Sequence, residues 1–350
     1  MIFRQLFDNV SSTYTYLLAN RPGGEALIID PVFERVERYL QLLDELDLKL
    51  AKAIDTHVHA DHLTGLGELR DRTKCITVMG RTSNVDVVSM RVDDGDAIEV
   101  EGVRLEVMHT PGHTNDSYCF RMPDRVFTGD TLLIRGTGRC DFQHGNAVAA
   151  YGSLFNRLLT LPDDTMVYPG HDYQGNTVST IGEERAHNPR LQVKSAAEYK
   201  ELMNGLDLTN PKMMDVAVPA NQRIGVKQTS EGDDIWSVTA KTACRETLRD
   251  DVLLIDLRDS SERKRDGFIP GSVHVLYADV EAAVRPGGLV YYEAMQGGRH
   301  IMYYCAYGER STLAVQTSRD AGLFNVRHII GGIDAWKKAG GDIDQLMVLG

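Results

Sequence analysis

The chain has 350 residues, a formal net charge of −12 and no dense block of Lys or Arg, a balance that excludes a nucleic-acid backbone or an anionic membrane surface as its main partner. Its length exceeds one ordinary domain and predicts two, each able to bury its own core. Five widely spaced cysteines, Cys75, Cys119, Cys140, Cys244 and Cys305, do not suit a disulfide scaffold. With no basic-then-apolar leader and no membrane-length apolar run, they predict a cytoplasmic protein.

In chain order, Tyr14 to Ala19 and Ala26 to Asp30 are β-favouring runs around the turn-rich Arg21 to Gly24, an opening hairpin. Val36, Tyr39, Leu40, Leu43 and Leu46 then recur at helical spacing and deliver the chain to a strand over Leu50 to Asp55. Further strands are predicted at Ile76 to Met79, Ile98 to Val100, Val103 to Met108, Ser117 to Phe120, Val126 to Thr128 and Met166 to Tyr168, with a helix beginning at Asp61. This alternation implies layered sheets covered by helices.

Thr56-His-Val-His-Ala-Asp-His62 follows one of those strands and crowds His57, His59, Asp61 and His62 together. Without an ion, such groups repel or sit unsatisfied once buried, whereas His and carboxylate are ordinary metal ligands. His113, Asp130 and His171 each follow another predicted strand, and loops at strand ends are where distant ligands converge. A chance polar loop does not account for all seven. Spacing alone allows two ions bridged by Asp130, suited to hydrolysis, or one ion on two His and a carboxylate, suited to O2 chemistry at iron.

The signature His57-x-His59-x-Asp61-His62, followed in order by His113, Asp130 and His171, resembles the metallo-β-lactamase superfamily. That resemblance implies a four-layer αββα sandwich with metal at one edge of its sheets. Arg135-Gly-Thr-Gly-Arg-Cys-Asp-Phe142, His171-Asp-Tyr173 and Glu183-Glu-Arg-Ala-His-Asn-Pro-Arg190 are similar to the persulfide dioxygenase branch over roughly residues 1 to 225. What this implies is one Fe(II) per chain on His57, His113 and Asp130, with His59, Asp61, His62 and His171 in an outer shell. It also implies Arg139 and Tyr173 in a glutathione pocket, where Arg139 would pair with a substrate carboxylate. Asp172 reads as a loop-fixing acceptor, and Cys119 and Cys140 as packing. The rival is a glyoxalase II-type, two-metal glutathione thioester hydrolase.

Gln228 to Asp234 is polar and aperiodic, the best linker, so domains are expected over 1–230 and 231–350. Beyond it, strands at Val252 to Ile255, Ile301 to Tyr304 and Val326 to Ile330 alternate with helices at Ser311 to Ala321 and Ile333 to Ala339, a small parallel α/β unit. Cys305-Ala-Tyr-Gly-Glu-Arg-Ser311 runs from strand end into helix, a loop shape that stabilises a thiolate or persulfide anion. With Asp256-Leu-Arg258, Gly267-Phe-Ile-Pro-Gly271 and Gly331-Gly-Ile-Asp-Ala-Trp336, this part resembles a rhodanese domain. The resemblance implies Cys305 as sulfur carrier and Arg310 as its cation, with Arg258 bracing the loop through Asp256. The same loop on a non-catalytic rhodanese-like module that only binds or senses persulfide is the companion of the hydrolase rival. Expected small-molecule partners are glutathione persulfide, O2, sulfite and thiosulfate. Homo-oligomerisation is left open by the sequence.

Overall fold

The computed structural model describes residues 1–206, 208, 209, 211, 213–225, 235–247 and 249–346. They form two compact units, one of residues 1–86 and 91–224, the other of residues 87–90 and 225–350. The expected linker Gln228 to Asp234 lies outside the described residues.

In the first unit β1 (Ile2–Asp8), β2 (Thr13–Ala19), β3 (Glu25–Ile29), β4 (Lys49–Ile54), β5 (Ile76–Gly80) and β6 (Met90–Val92) form one six-stranded sheet in that order. β7 (Ala97–Val100), β8 (Val103–His109), β9 (Tyr118–Arg121), β10 (Arg125–Gly129), β11 (Met166–Pro169) and β12 (Ser179–Thr180) form the second. The opening hairpin is β2 with β3; β1, absent from the sequence reading, extends it antiparallel to β2. The sheets meet face to face through Phe3 and Tyr16 of the first against Phe127 and Tyr168 of the second. Outside them pack α1 (Val36–Glu45), α2 (Leu66–Thr73), α3 (Ala147–Phe155), α4 (Ile181–His187), α5 (Ala196–Asn204) and α6 (Met214–Asn221). The α1 stripe is Val36, Tyr39, Leu42 and Leu43, while Leu40 and Leu46 of the predicted face are only half-buried.

The helix expected from Asp61 starts instead at Leu66. Asn221, buried at the end of α6, accepts from the Thr64 N–H and donates to the His59 and His62 carbonyls. Those backbone groups are therefore committed to a side chain far along the sequence rather than to a helical turn, and tertiary pairing overrides local propensity.

The second unit carries a wholly parallel sheet in the order β13 (Ser237–Val238), β17 (Val326–Ile329), β16 (His300–Tyr304), β14 (Val252–Asp256), β15 (Val273–His274). Successive residues feed two cores. Leu253, Ile255, Ile301 and Tyr303 join Val280 of α9 (Val280–Ala283), Val290 of α10 (Leu289–Met295) and Ala314 and Val315 of α11 (Glu309–Asp320). Leu254, Met302 and Tyr304 join Ala243 of α7 (Ala240–Glu246) and Trp336 of α12 (Gly332–Lys338). Burial on both faces is why these strands read as continuous apolar runs. Helix α8 (Ser260–Asp266), which follows β14 in the chain, begins in a capping box of Asp259 and Glu262.

Candidate metal centre and sulfur-transfer loop

The chain segments that leave β4, β8, β10 and β11 supply all seven predicted metal-capable residues to one edge of the two sheets. Thr56, just beyond β4, donates through N–H and hydroxyl to the two oxygens of Asp30, at 2.7 and 3.0 Å. Its hydroxyl proton being spent there, Thr56 Oγ1 accepts from His57 Nδ1 at 2.9 Å, which leaves His57 Nε2 as the nitrogen able to take a metal. His113 Nδ1 lies 2.7 Å from the Arg139 carbonyl; a carbonyl only accepts, so this ring too presents Nε2, 3.5 Å from Asp130 Oδ2. An outer partner on the far nitrogen is the usual way to fix tautomer and aim in a metal-binding histidine.

His57, His113 and Asp130 bring their donor atoms within 4.8 Å of one another, the two histidines buried and the carboxylate partly exposed. The set fits a divalent cation of the two-His, one-carboxylate kind. Burial, followed by His59 and His113, holds His57 well below the ordinary imidazole range, so its lone pair is available at neutral pH. Burial opposes ionisation of Asp130, but His171 and His113 outweigh it and keep the carboxylate charged.

His171 is placed differently from a simple ligand. Its Nδ1 donates to Asp130 Oδ1 at 2.6 Å and its Nε2 to Asp61 Oδ2 at 2.8 Å. Although burial works against the charge, these two carboxylates raise its pKa well above the ordinary value, and both ring nitrogens are occupied. A second cluster, His59, Asp61 and His62, also gathers its donors within 4.8 Å. His62 Nδ1 donates to Asp61, and His59 Nε2 to Asp30; the other nitrogen of each ring is buried without a hydrogen-bond partner. Burial pulls His59 down, yet Asp30 and Asp55 outweigh it and lift the imidazole to about 9. Asp55, raised to about 7 mainly by burial, completes that corner.

Arg139 supplies, through its backbone, the carbonyl that orients the His113 ring, a contact the sequence did not reveal. Its guanidinium is engaged within the chain: Nε and Nη2 donate to Asp141, each at 2.6 Å, Nη1 donates to the Thr209 carbonyl at 2.7 Å, and the group stacks over Phe142. A substrate carboxylate at Arg139 must exchange with Asp141. Tyr173 is exposed, with its ring parallel to that of His171 at 6.1 Å. Asp172 accepts from the Gln174 and Asn176 N–H groups and fixes the turn, as read from sequence. Cys119 and Cys140 are packing residues of the core beside the second sheet.

In the second unit Cys305 follows β16 and is fully buried. The Gly308 N–H points at its sulfur from 3.1 Å, and Ser311 Oγ lies 3.7 Å from it. Gly308 has φ of 95°, the left-handed conformation that turns the loop into α11 and suits glycine. Arg310 is not held open beside the thiol as a bare cation: Nη1 and Nη2 donate to the two oxygens of Glu262, both at 2.7 Å, with both side chains buried. Its Nε is buried without a partner. Arg258 pairs with Asp256 in a bidentate ion pair, as expected, and donates to the Gly267 carbonyl rather than to the Cys305 loop itself. Glu262 was missed in the sequence, although Asp259-x-x-Glu262 is a legible capping box.

Residues 8–171 match the metallo-beta-lactamase superfamily model and residues 241–339 the rhodanese-like domain model. Human mitochondrial persulfide dioxygenase ETHE1 is 46% identical over 230 residues, covering 65% of this chain and 90% of that protein. The chain belongs to the persulfide dioxygenase family of the metallo-beta-lactamase superfamily. It carries a rhodanese domain as well. The crystal structure of ETHE1 from Myxococcus xanthus superposes with a TM-score of 0.62 at 52% identity, over 63% of this chain and 98% of that one. A metallo-beta-lactamase from Staphylococcus aureus shares the fold over 95% of this chain and 97% of its own, at 22% identity and a TM-score of 0.60. Among the described residues no helix is long and apolar enough to cross a membrane, and none of the five cysteines is in a disulfide.

Proposed function

We propose that the chain is a bifunctional sulfur enzyme of a reducing, cytoplasmic compartment, with persulfide oxidation in residues 1–230 and sulfur transfer in 231–350. The observation that carries the first activity is the convergence of His57, His113 and Asp130 within 4.8 Å while both nitrogens of His171 are taken by carboxylates. That arrangement favours a single ion. One Fe(II) on these three residues would supply a redox-active centre through which ground-state O2 could react with a closed-shell sulfur. The net reaction takes glutathione persulfide, O2 and water to glutathione, sulfite and protons; the sulfane sulfur loses four electrons and O2 gains them.

The protein's part is to aim and to hold. Asp30 through Thr56, and the Arg139 carbonyl directly, fix the two histidines; His171, charged, keeps Asp130 ionised and turned toward them. Tyr173 offers an exposed ring and hydroxyl beside the site, and Arg139 a guanidinium that exchanges Asp141 for a glutathione carboxylate. In the rhodanese domain the Cys305 thiolate attacks the outer sulfur of glutathione persulfide and releases glutathione. Sulfite then takes that sulfur from the Cys305 persulfide, giving thiosulfate and the free thiolate. The Gly308 N–H faces the charge on sulfur throughout, and Arg310 adds its cation from within the loop.

Oxygen uptake with glutathione persulfide, measured beside metal content, tests the reading. About one iron per chain with uptake is expected. Two zinc-class ions with thioester hydrolysis would overturn it in favour of the cluster at His59, Asp61 and His62 as a second metal seat.

A further inference from the structure

The motif Glu183-Glu-Arg-Ala-His-Asn-Pro-Arg190 is left without a role by the chemistry above, although three of its side chains turn to one loop. Glu184, fully buried in α4, accepts from the Arg135 N–H at 2.8 Å, from the Arg135 guanidinium, and from Ser179 Oγ at 2.6 Å. Asn188, equally buried, donates to Glu184 at 2.8 Å and to the Gly136 carbonyl at 2.9 Å. Arg190 donates to the Thr137 carbonyl. Three successive residues, 135 to 137, are thus gripped by side chains from 184 to 190, and Arg135 is held at φ of 57°, a left-handed conformation costly for a residue with a Cβ.

The next two residues reach the metal centre. The Gly138 N–H donates to the Asp130 carbonyl at 2.7 Å, and the Arg139 carbonyl accepts from His113 Nδ1. A Cβ on residue 138 would lie 2.2 Å from the Asp130 carbonyl oxygen and 2.8 Å from the His113 ring, so there is no slack between the gripped loop and the ligand.

We infer that Glu184, Asn188 and Arg190 are positioning residues for the metal centre: they hold loop 135–139 so that the Arg139 carbonyl fixes His113 in the tautomer that presents Nε2. None of them touches metal or substrate. The inference rests on the reading of His113 as a ligand, but its first consequence, the tautomer, exists in the metal-free protein.

Two measurements on the full chain test it, with Glu184→Gln as the isosteric variant and Asn188→Ala as the deletion. In the metal-free protein, nitrogen NMR of the His113 ring should show one tautomer, with the proton on Nδ1, in the wild type and a mixture in both variants. Cobalt(II) titration of the metal-free protein should give affinity weakened by about tenfold, the lower end of what outer-shell partners of metal-bound histidines show. A merely structural role would lower the melting temperature and leave both readouts unchanged, and that result in either folded variant overturns the inference. If Asn188→Ala does not fold, Glu184→Gln decides alone. A tautomer change with cobalt affinity unmoved, and no loss of affinity in His113→Ala, would retain the clamp and sink the ligand assignment.

Discussion

Glu262→Gln in the rhodanese domain is the sharpest perturbation the structure offers. The wild-type carboxylate meets both terminal nitrogens of Arg310 at 2.7 Å, with neither side chain more than 1% exposed. Glutamine keeps the shape and one acceptor but removes the charge, which leaves a guanidinium uncompensated in the interior. Breaking a buried pair in this way costs about 3–5 kcal/mol; the retained acceptor puts the expectation near the lower figure. The two tryptophans, Trp236 and Trp336, both belong to this unit, so selectively excited tryptophan fluorescence reports its unfolding alone. With a urea slope of roughly 1.5 kcal/mol per molar, a loss of about 3 kcal/mol lowers the midpoint by roughly 2 M. A midpoint lowered by less than about 0.5 M would refute the claim that the pair carries this load. The double variant Glu262→Leu with Arg310→Met should recover most of the stability, because matched apolar groups replace buried ion pairs at little cost. It should still fail to transfer sulfur if the Arg310 cation acts on the Cys305 sulfur, and normal transfer would make Arg310 a packing residue.

His113→Ala should lose iron and oxygen uptake together, whereas His171→Ala should retain some iron; equal loss of metal in both, by elemental analysis, would restore the two-metal site. Arg139→Ala should raise the KM for glutathione persulfide by about tenfold with iron retained, the scale of one charge-assisted contact; an unchanged KM at full iron occupancy removes that contact. Cys305→Ser should eliminate sulfur transfer, since a serine hydroxyl stays protonated and carries no persulfide, and should leave dioxygenase kcat/KM nearly intact. A parallel fall in both activities with iron still bound would mean that sulfur passes from Cys305 to the metal.

By itself the sequence determined most of the longer strands, though not β1, and singled out the seven metal-capable residues and the Cys305 loop, because each shows as a local pattern of residue types. A continuous apolar run through Leu253, Leu254 and Ile255, or three histidines within six residues ending at His62, is legible without partners. It also located Asp172 and the Asp256–Arg258 brace, whose bonds close over two to four residues. What only the tertiary structure decided was how the long side chains spend their hydrogen bonds. Arg139, given by the sequence reading to a substrate carboxylate, is tied to Asp141 and to the carbonyl of Thr209, and Arg310, read as the cation of the Cys305 loop, faces Glu262. The predicted helix at Asp61 gave way because Asn221 holds the backbone around it. Buried polar groups must find partners, and which partner is nearest depends on chain segments that meet only in the folded state, so spacing along the sequence carries no record of the choice.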